Sequence, residues 1–272
     1  MSLQIASINS GSNANCYYVG NEKDAVLIDA GLSCRETLKR LKRLELNVSQ
    51  IKALFISHEH NDHIRGIEGI ADKLMIPIYI TPNTLQASKL KPPAHLLCPF
   101  VDGEAVSIGS LTVLPFRKQH DAVDAHSFTV TGNGVSVGIL TDIGAPCSNV
   151  ATQLAQCHAA FLEANYDDEM LWNGPYSHFL KQRVSSDYGH LSNRQAAALV
   201  AQCASPAFRL LILSHLSVKN NTPEKALAAF AGLNPAIKVT VASRYGESEI
   251  YTITANPAKV MPQQPAKQLS FY

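Results

Sequence analysis

The chain has 272 residues, of which 46% are hydrophobic and 17% charged, and its formal net charge is +1. This length and apolar content suit one large core, and the small net charge excludes a global basic field that would attract nucleic acid. The sequence contains no signal peptide, no apolar run of about 18 residues and no C-x-x-C pair among its six cysteines. We therefore predict a cytoplasmic protein with reduced thiols and no membrane association.

Apolar periodicity predicts strands and helices that alternate along the chain. The predicted strands lie near residues 3–8, 15–20, 25–29, 51–57, 76–80, 111–118, 126–131, 135–141, 159–163, 209–214, 237–242 and 248–254. The predicted helices cover 34–46, a segment from Ile64 onward, 149–157, 193–204 and 223–231. Ser33 and Glu36 suit a capping box for the first helix, and Thr222 and Pro223 suit the start of the last. Helices interleaved with strands in two halves favour an α/β fold, specifically a four-layered αββα sandwich.

The first predicted helix is rich in basic residues, namely Arg35, Lys39, Arg40, Lys42 and Arg43. Such a helix face can contact nucleic acid. A solvated helix surface is the more common meaning of this pattern, and we favour it.

Residues 58–63 read His58-Glu59-His60-Asn61-Asp62-His63. Imidazole nitrogen and carboxylate oxygen are the ligands that suit zinc and its first-row neighbours, so this hexapeptide predicts a metal site. It follows an apolar strand and precedes a helix, which is a usual place for catalytic groups in α/β folds. The alternative is a set of surface histidines beside a helix cap.

Four more potential ligands or supporting residues follow predicted strands. They are Asp29, His120, Asp142 and His215. The strand before Asp142 begins at the hairpin signal Asn133-Gly134. Together with the His-x-His-x-Asp-His turn, they resemble the motifs of the metallo-β-lactamase-fold hydrolases. The resemblance covers about residues 1–254.

The resemblance implies two divalent metal ions, which can be zinc, manganese or iron. The implied ligands are His58, His60 and His120 for one ion, Asp62, His63 and His215 for the other, and Asp142 bridging both. It also implies that Asp29 orients the histidine-rich loop by hydrogen bonds. The alternative for Asp29 is an ordinary residue at a strand end, in a turn before Gly31.

Sequence blocks beyond the ligands, at residues 9–15, 163–176, 189–193 and 215–224, are similar to those of the bacterial YycJ/WalJ group. That group is described as 5′ to 3′ exonucleases that act on double-stranded DNA. The resemblance therefore implies a phosphodiesterase that uses a hydroxide bridging two metal ions, with DNA as substrate.

The roles of several residues follow from this interpretation. Asp62, Asp142 and His190 are the candidate catalytic residues, and the local sequence leaves open whether His190 donates a proton or contacts phosphate. Candidate donors to the substrate are Ser10, Ser12, Asn13, Lys118, Lys219 and Asn220. Each of these six is also compatible with turn or surface chemistry.

Residues 255–272 are rich in proline and glutamine and predict a flexible tail outside the 1–254 hydrolase domain. The tail ends in Gln268-Leu269-Ser270-Phe271-Tyr272, which resembles the short peptides by which bacterial DNA enzymes bind the sliding clamp. Phe271 and Tyr272 stand where Leu and Phe are usual in those peptides. The alternative is an aromatic tail that folds onto the domain's own surface.

Two other classes of function remain open at this point. The same ligands serve a thiolester hydrolase of the glyoxalase II type or a hydrolase of small cyclic phosphodiesters, because fold and ligands do not select the substrate. A nonenzymatic binding role is the third class, and the complete set of potential ligands argues against it.

Overall fold

The computed structural model describes residues 2–255. Two mixed sheets form the centre of this part of the chain. Their strands are β1 (Ser2–Asn9), β2 (Cys16–Gly20), β3 (Ala25–Ile28), β4 (Ile51–Phe55), β5 (Ile78–Tyr79), β6 (Leu97–Cys98), β7 (Val106–Ile108), β8 (Leu111–Arg117), β9 (His126–Gly132), β10 (Val135–Leu140), β11 (Ala159–Glu163), β12 (Leu210–Ser214), β13 (Lys238–Val241) and β14 (Tyr251–Thr254). The first sheet has the order β14-β1-β2-β3-β4-β5-β6, and the second has the order β13-β12-β11-β10-β9-β8-β7.

Helices cover the outer faces of the sheets. They are α1 (Cys34–Arg43), α2 (Asn61–Ile64), α3 (Ile67–Leu74), α4 (Pro82–Ser88), α5 (Ser148–Gln156), α6 (Asp168–Asn173), α7 (His178–Val184), α8 (Asn193–Cys203) and α9 (Pro223–Ala229). The predicted αββα sandwich is therefore confirmed. Within residues 2–255 no helix is both long and apolar enough to span a bilayer.

Successive side chains along a strand point to opposite faces of the sheet, and this alternation explains how the core divides into separate layers. In β3, Val26 and Ile28 belong to the core between the two sheets, whereas Leu27 belongs to the core under α1 and α3. In β11, Phe161 lies between the sheets and Leu162 packs toward α5 and α8. Successive side chains of a strand point to opposite faces, so strands that are apolar at every position become buried on both.

Several predicted elements have the expected bounds within one or two residues, and the Asn133-Gly134 hairpin joins β9 to β10. Both turn residues have positive φ, 55° and 74°, as a two-residue hairpin turn requires. Thr222 caps α9 and Pro223 is its first residue. The six cysteines are unpaired.

Other predictions were wrong at the boundaries. The first helix ends at Arg43 instead of residue 46, because Glu45 adopts φ 56°. Ser33 accepts a hydrogen bond from the Glu36 amide, but the Glu36 carboxylate accepts from Arg40 instead of completing a capping box.

The helix expected from Ile64 onward is divided into α2 and α3. Gly66 lies at the break, where its amide donates to the carbonyl of Ala30 at 2.6 Å. A Cβ at this position would lie 2.0 Å from the carbonyl oxygen of Leu32, so close packing against the loop after β3 sets the break. The predicted strands 51–57, 76–80 and 248–254 are shorter, and β6, β7, α4, α6 and α7 were not predicted.

The basic residues of α1 divide into two sets. Arg40 is buried and Arg43 pairs with Glu247, so both serve the fold. Arg35, Lys39 and Lys42 are exposed. This arrangement agrees with the favoured interpretation of α1 as a solvated surface helix.

Candidate metal centre

The candidate site lies where strands of both sheets end. β3 and β4 are parallel neighbours, as are β10, β11 and β12, so each set delivers its following residues to one edge of its sheet. Asp29 follows β3, His58 follows β4 by three residues, Asp142 follows β10, and His215 directly follows β12. The order of the strands therefore brings together residues that are far apart in sequence.

Three of these residues have an unusual backbone. Asp29, Asp142 and His215 adopt φ of 62°, 56° and 56°. This left-handed conformation costs roughly 1–2 kcal/mol for an ordinary residue, although Asp tolerates it better than most. Each side chain leaves its strand end by a sharp turn of the chain, and the surrounding contacts must stabilise that turn.

One group of imidazoles consists of His58, His60 and His120, whose ligand atoms all lie within 4.8 Å of one another. His58 Nε2 lies 3.1 Å from His60 Nδ1, and His120 Nε2 lies 3.4 Å from the same atom. His120 Nδ1 donates to the carbonyl of Gly189 at 3.0 Å, which leaves Nε2 facing the other rings. Such a set can hold one metal ion.

A second group consists of Asp62, His63 and His215, whose ligand atoms meet the same 4.8 Å limit. Asp142 lies between the groups: its oxygens are 3.3 Å from His63 Nε2, 3.4 Å from His215 Nε2 and 3.9 Å from His120 Nε2. The structure therefore brings together all seven residues that the resemblance implied as ligands, and Asp142 also forms one group with His58 and His63 and another with Glu163, His190 and His215.

Asp29 and Ser57 hold the imidazoles in place from behind. Asp29 is fully buried, and its Oδ2 accepts from His63 Nδ1 at 2.7 Å and from the Ser57 hydroxyl at 2.9 Å. Its Oδ1 accepts from the Ser57 amide at 2.8 Å. Ser57 Oγ also lies 2.8 Å from His58 Nδ1. These contacts fix the ring orientation and leave both Nε2 atoms directed at the centre.

Glu163 is a central residue of the site whose role sequence reasoning missed. It ends β11, is fully buried, and its Oε1 accepts from His190 Nδ1 at 2.8 Å and from His215 Nδ1 at 2.9 Å. Its Oε2 accepts from the amides of Ile143 and Leu191. The signal in the sequence was a carboxylate at the end of an apolar strand. Asn15 was also missed, and its Nδ2 donates to Asp62 Oδ2 at 3.1 Å.

Burial and charge divide the histidines into two classes. Burial lowers the pKa of His58, and it lowers the pKa of His120 to about 3. Burial also opposes the charged form of His63 and His215, but Asp142 and the other carboxylates outweigh it, so the pKa of His63 is raised and that of His215 rises to about 10. Without a metal, the second group therefore holds protonated imidazoles against ionised carboxylates, because the same contacts lower the pKa of Asp62 and of Asp142.

The donor set fits two divalent ions. Asp142 Oδ2 and His215 Nε2 are buried and have no hydrogen-bond partner among residues 2–255. Buried polar atoms normally have a hydrogen-bond partner. Two unpaired buried atoms at the point where the ligand groups meet are therefore consistent with a site that binds metal ions.

A cavity of about 210 Å³ opens onto this centre. It is lined by Ser12, His60, Asp62, Asp121, Asp142, Tyr176, Leu180, Arg183, Val184, Gly189, His190 and His215. Arg183 pairs with Asp121 at the cavity wall, with Nε 2.7 Å from Oδ2. The lining combines metal-ligating residues with His190, so a substrate that enters the cavity meets both.

The six candidate substrate donors lie in different places. Ser12 lines the cavity. Ser10 is buried, and its hydroxyl accepts from the His215 amide at 2.8 Å. Lys118 is also buried, where its Nζ donates to the carbonyl of Thr141 at 2.7 Å. These two contacts give Ser10 and Lys118 supporting positions behind the ligands.

The other three candidates lie outside the cavity lining. Asn13 Nδ2 donates to the carbonyl of Arg244 at 3.0 Å. Lys219 is exposed. Asn220 is buried, and within the described part of the chain its side-chain amide atoms have no partner.

Comparison with known proteins adds a second kind of evidence. A family model described as the metallo-beta-lactamase superfamily matches residues 10–171. The chain is 32% identical to exodeoxyribonuclease YycJ of Bacillus anthracis over 83% of this chain and 87% of the relative. It is 33% identical to exodeoxyribonuclease WalJ of Streptococcus pneumoniae over 80% of this chain and 82% of the relative. The metallo-beta-lactamase fold protein YhfI from Bacillus subtilis has a TM-score of 0.71 at 16% identity, over 93% of this chain and 100% of YhfI, which shows a shared fold.

Proposed function

Because the chain belongs to the metallo-β-lactamase superfamily and to its YycJ/WalJ group, we propose that it is a 5′ to 3′ exodeoxyribonuclease with two divalent metal ions. The chain is a metal-dependent hydrolase of this superfamily. The observation that carries the proposal is the likeness over at least four-fifths of the chain to relatives named exodeoxyribonucleases. The two groups of ligands that meet at Asp142 support it chemically.

In the proposed mechanism, His58, His60 and His120 would hold one ion and Asp62, His63 and His215 would hold the other, with Asp142 near both groups. When bound, the ions supply a water that is acidic enough to attack at neutral pH and positive charge for the phosphate oxygens. Asp62 is partly exposed to the cavity and can accept a hydrogen bond from the attacking water. Asp29, Ser57 and Glu163 keep the ligand rings oriented.

His190 has the geometry of a proton donor. It lines the cavity, and its Nδ1 is held by the buried Glu163 carboxylate at 2.8 Å. This contact fixes the ring, so a protonated His190 can deliver a proton from Nε2 to the leaving oxygen as the P–O bond breaks. Phosphorus gains an oxygen from water, and the leaving group departs as an alcohol.

The test is hydrolysis of end-labelled duplex DNA by protein loaded separately with manganese or zinc. We expect stepwise release of nucleotides from 5′ ends and loss of this activity in His60→Ala and Asp142→Ala. His95→Ala and Asp72→Ala, at exposed positions, are matched controls and should retain activity.

The opposite outcome is equally clear. If DNA is not cleaved with either metal, while S-lactoylglutathione or a cyclic phosphodiester is hydrolysed, the exonuclease proposal is wrong and the activity belongs to one of those classes. Cleavage that persists in both ligand variants would indicate a contaminating nuclease.

We further propose that the last residues bind the sliding clamp and that the protein acts in the cytoplasm. Gln268, Leu269, Phe271 and Tyr272 support the clamp proposal by their sequence, and they lie outside the described residues. Titration of the tail peptide against purified clamp tests it, with a scrambled peptide as control. Failure to bind at high micromolar concentration would remove the proposal.

A further inference from the structure

A second cavity, of about 390 Å³, lies beside the metal centre. Its lining includes Ser10, Leu216, Val218, Val241, Arg244 and Tyr245. Ser10 connects the two places, because its hydroxyl holds the His215 amide while the residue lines the second cavity. Ser12 lines the metal cavity, and the Cα atoms of residues two apart are at most roughly 7 Å apart. Both cavities therefore adjoin the same short turn.

The lining of the second cavity differs from that of the metal cavity. Apolar side chains such as Leu216, Val218 and Val241 form much of it, and Arg244 supplies one cation. The described residues that line it include no Asp or Glu, whereas three aspartates line the metal cavity. Apolar walls with a positive charge suit a flat aromatic ligand that carries a phosphate, and they do not suit a metal ion.

The backbone of the loop that carries Tyr245 is anchored at successive residues. The carbonyl of Ser243 accepts from the Ser10 amide at 3.2 Å, and that of Arg244 accepts from Asn13 Nδ2 at 3.0 Å. The carbonyl of Tyr245 accepts from the buried Arg40 at 3.4 Å. A loop held in this way presents its side chains in a fixed direction.

The Tyr245 ring itself is 79% exposed at the edge of the cavity. Arg244 is partly buried, and the single hydrogen bond of its guanidinium within residues 2–255 runs from Nη1 to the carbonyl of Leu216 at 3.4 Å. Most of its five donors are therefore available to an anion. Within the described part of the chain, an anchored loop thus offers an exposed aromatic side chain and a cation with most of its donors unused, next to the metal centre.

We propose that this cavity is a nucleobase subsite, in which Tyr245 stacks on an unpaired base of the substrate strand and Arg244 contacts a neighbouring phosphate. The inference rests on the proposed function and deepens it, because it states that the enzyme holds a single-stranded segment beside the scissile bond. A DNA strand carries one phosphate per 3.4 Å of axis, so a strand that leaves the metal centre reaches the subsite within a few nucleotides. Stacking tolerates any base, which suits a nuclease without sequence preference.

The test compares two substrates in the full-length, metal-loaded protein. The first is a fluorescent single-stranded oligonucleotide with phosphorothioate linkages, whose binding is followed by anisotropy. The second is bis(p-nitrophenyl) phosphate, a diester without a base, whose kcat at saturating concentration reports on the metal centre even when a nitrophenyl ring enters the subsite. The variants are Tyr245→Ala, Tyr245→Phe and Arg244→Ala, with the exposed, distant Met75→Ala as control.

Tyr245→Ala is expected to weaken oligonucleotide binding about tenfold, within the range for loss of one base–aromatic stack. Tyr245→Phe keeps the ring and should bind within about twofold of the natural protein. Arg244→Ala should weaken binding and reduce its salt dependence. Tyr245→Ala and Tyr245→Phe should hydrolyse bis(p-nitrophenyl) phosphate with the natural kcat, because among the described residues the Tyr245 side chain makes no hydrogen bond to a metal ligand. Arg244→Ala is assessed by oligonucleotide binding alone, because its guanidinium bonds to the carbonyl of Leu216, next to His215.

Unchanged oligonucleotide affinity in Tyr245→Ala would overturn the inference, as would an equal loss of small-diester hydrolysis. If the cavity instead receives the chain's own residues 256–272, a chain ending at residue 255 would bind DNA more tightly and Tyr245→Ala would not bind more weakly. Failure of the proposed function has a different signature, namely oligonucleotide binding without DNA cleavage with either metal.

Discussion

Replacement of Glu163 by glutamine tests how the site is held together. Burial opposes ionisation of this carboxyl, but the charge and hydrogen bonds of His190, with a further hydrogen bond from His215, outweigh it and lower its pKa from 4.5 to about 2. Each pKa unit corresponds to about 1.36 kcal/mol, so ionised Glu163 contributes about 3 kcal/mol to the free energy of unfolding at neutral pH. Glu163→Gln should remove about that much.

The pH dependence follows from the sign of the shift. The folded-state pKa is depressed, so the stabilisation is complete above the unfolded pKa of 4.5 and is lost as pH falls toward 2. The difference between the natural protein and Glu163→Gln should therefore be about 3 kcal/mol at pH 7 and shrink below pH 5. For a domain of this size, 3 kcal/mol corresponds to a decrease in Tm of about 6–12 °C.

The assay is urea unfolding of the metal-free protein at several pH values, followed by circular dichroism. Glu104→Gln, at an exposed position, is the matched control and should change stability by less than about 0.5 kcal/mol. A difference for Glu163→Gln below about 1 kcal/mol at pH 7, or one that stays constant down to pH 3, would refute the reasoning.

Three further predictions concern metal binding and the packing of the ligand loop. Asp29→Asn keeps the left-handed backbone but replaces the oxygen that accepts hydrogen bonds from His63 and Ser57. The affinity for zinc, measured in competition with a chelator, should therefore fall about 10–100-fold. A change below threefold would contradict this role of Asp29. Gly31→Ala should destabilise the protein by more than about 3 kcal/mol in urea unfolding, because its Cβ would lie 1.8 Å from the carbonyl oxygen of Asp62; a normal unfolding midpoint would show that the loop moves freely. Zinc at about 1,000 times its Kd should stabilise the folded state by about 4 kcal/mol, which corresponds to an increase in Tm of about 8–16 °C in scanning calorimetry. EDTA should reverse this increase. An unchanged Tm would exclude a well-formed zinc site.

The parts of the fold that could be predicted from sequence are those with strong local signals. Strands such as β4 and β12 are apolar at nearly every position and are followed at once by polar residues, so both the strand and the site residues after it are visible in the sequence. The hairpin between β9 and β10 could also be predicted, because its signal lies in the two neighbouring residues Asn133 and Gly134. Short strands such as β5 and β6 have two residues each and carry no periodicity to detect.

The contacts behind the ligands could not be predicted, because they depend on tertiary placement. In the sequence, Glu163 is only a carboxylate at the end of a strand. In the folded sheet, β11 lies between β10 and β12, and this position lets Glu163 contact both His190 and His215. Ser10 was one of six candidate substrate donors, and its hydroxyl lies between Tyr17 Oη and the His215 amide, which are contacts across separate strands. Local sequence specified the candidate ligands, and long-range packing specified their supports.

The pairing of β14 with β1 and the distribution of the ligands have a consequence for synthesis on the ribosome. The histidine-rich loop is complete at His63, but the second ligand group needs His215, which a ribosome adding about 5–20 residues per second reaches roughly 8–30 s later. The outer edge of β1 stays unpaired for longer still, until β14 (Tyr251–Thr254) has been synthesised. During that time the nascent chain exposes an unpaired strand edge and an incomplete site, so the second ligand group can form only after most of the chain has been synthesised.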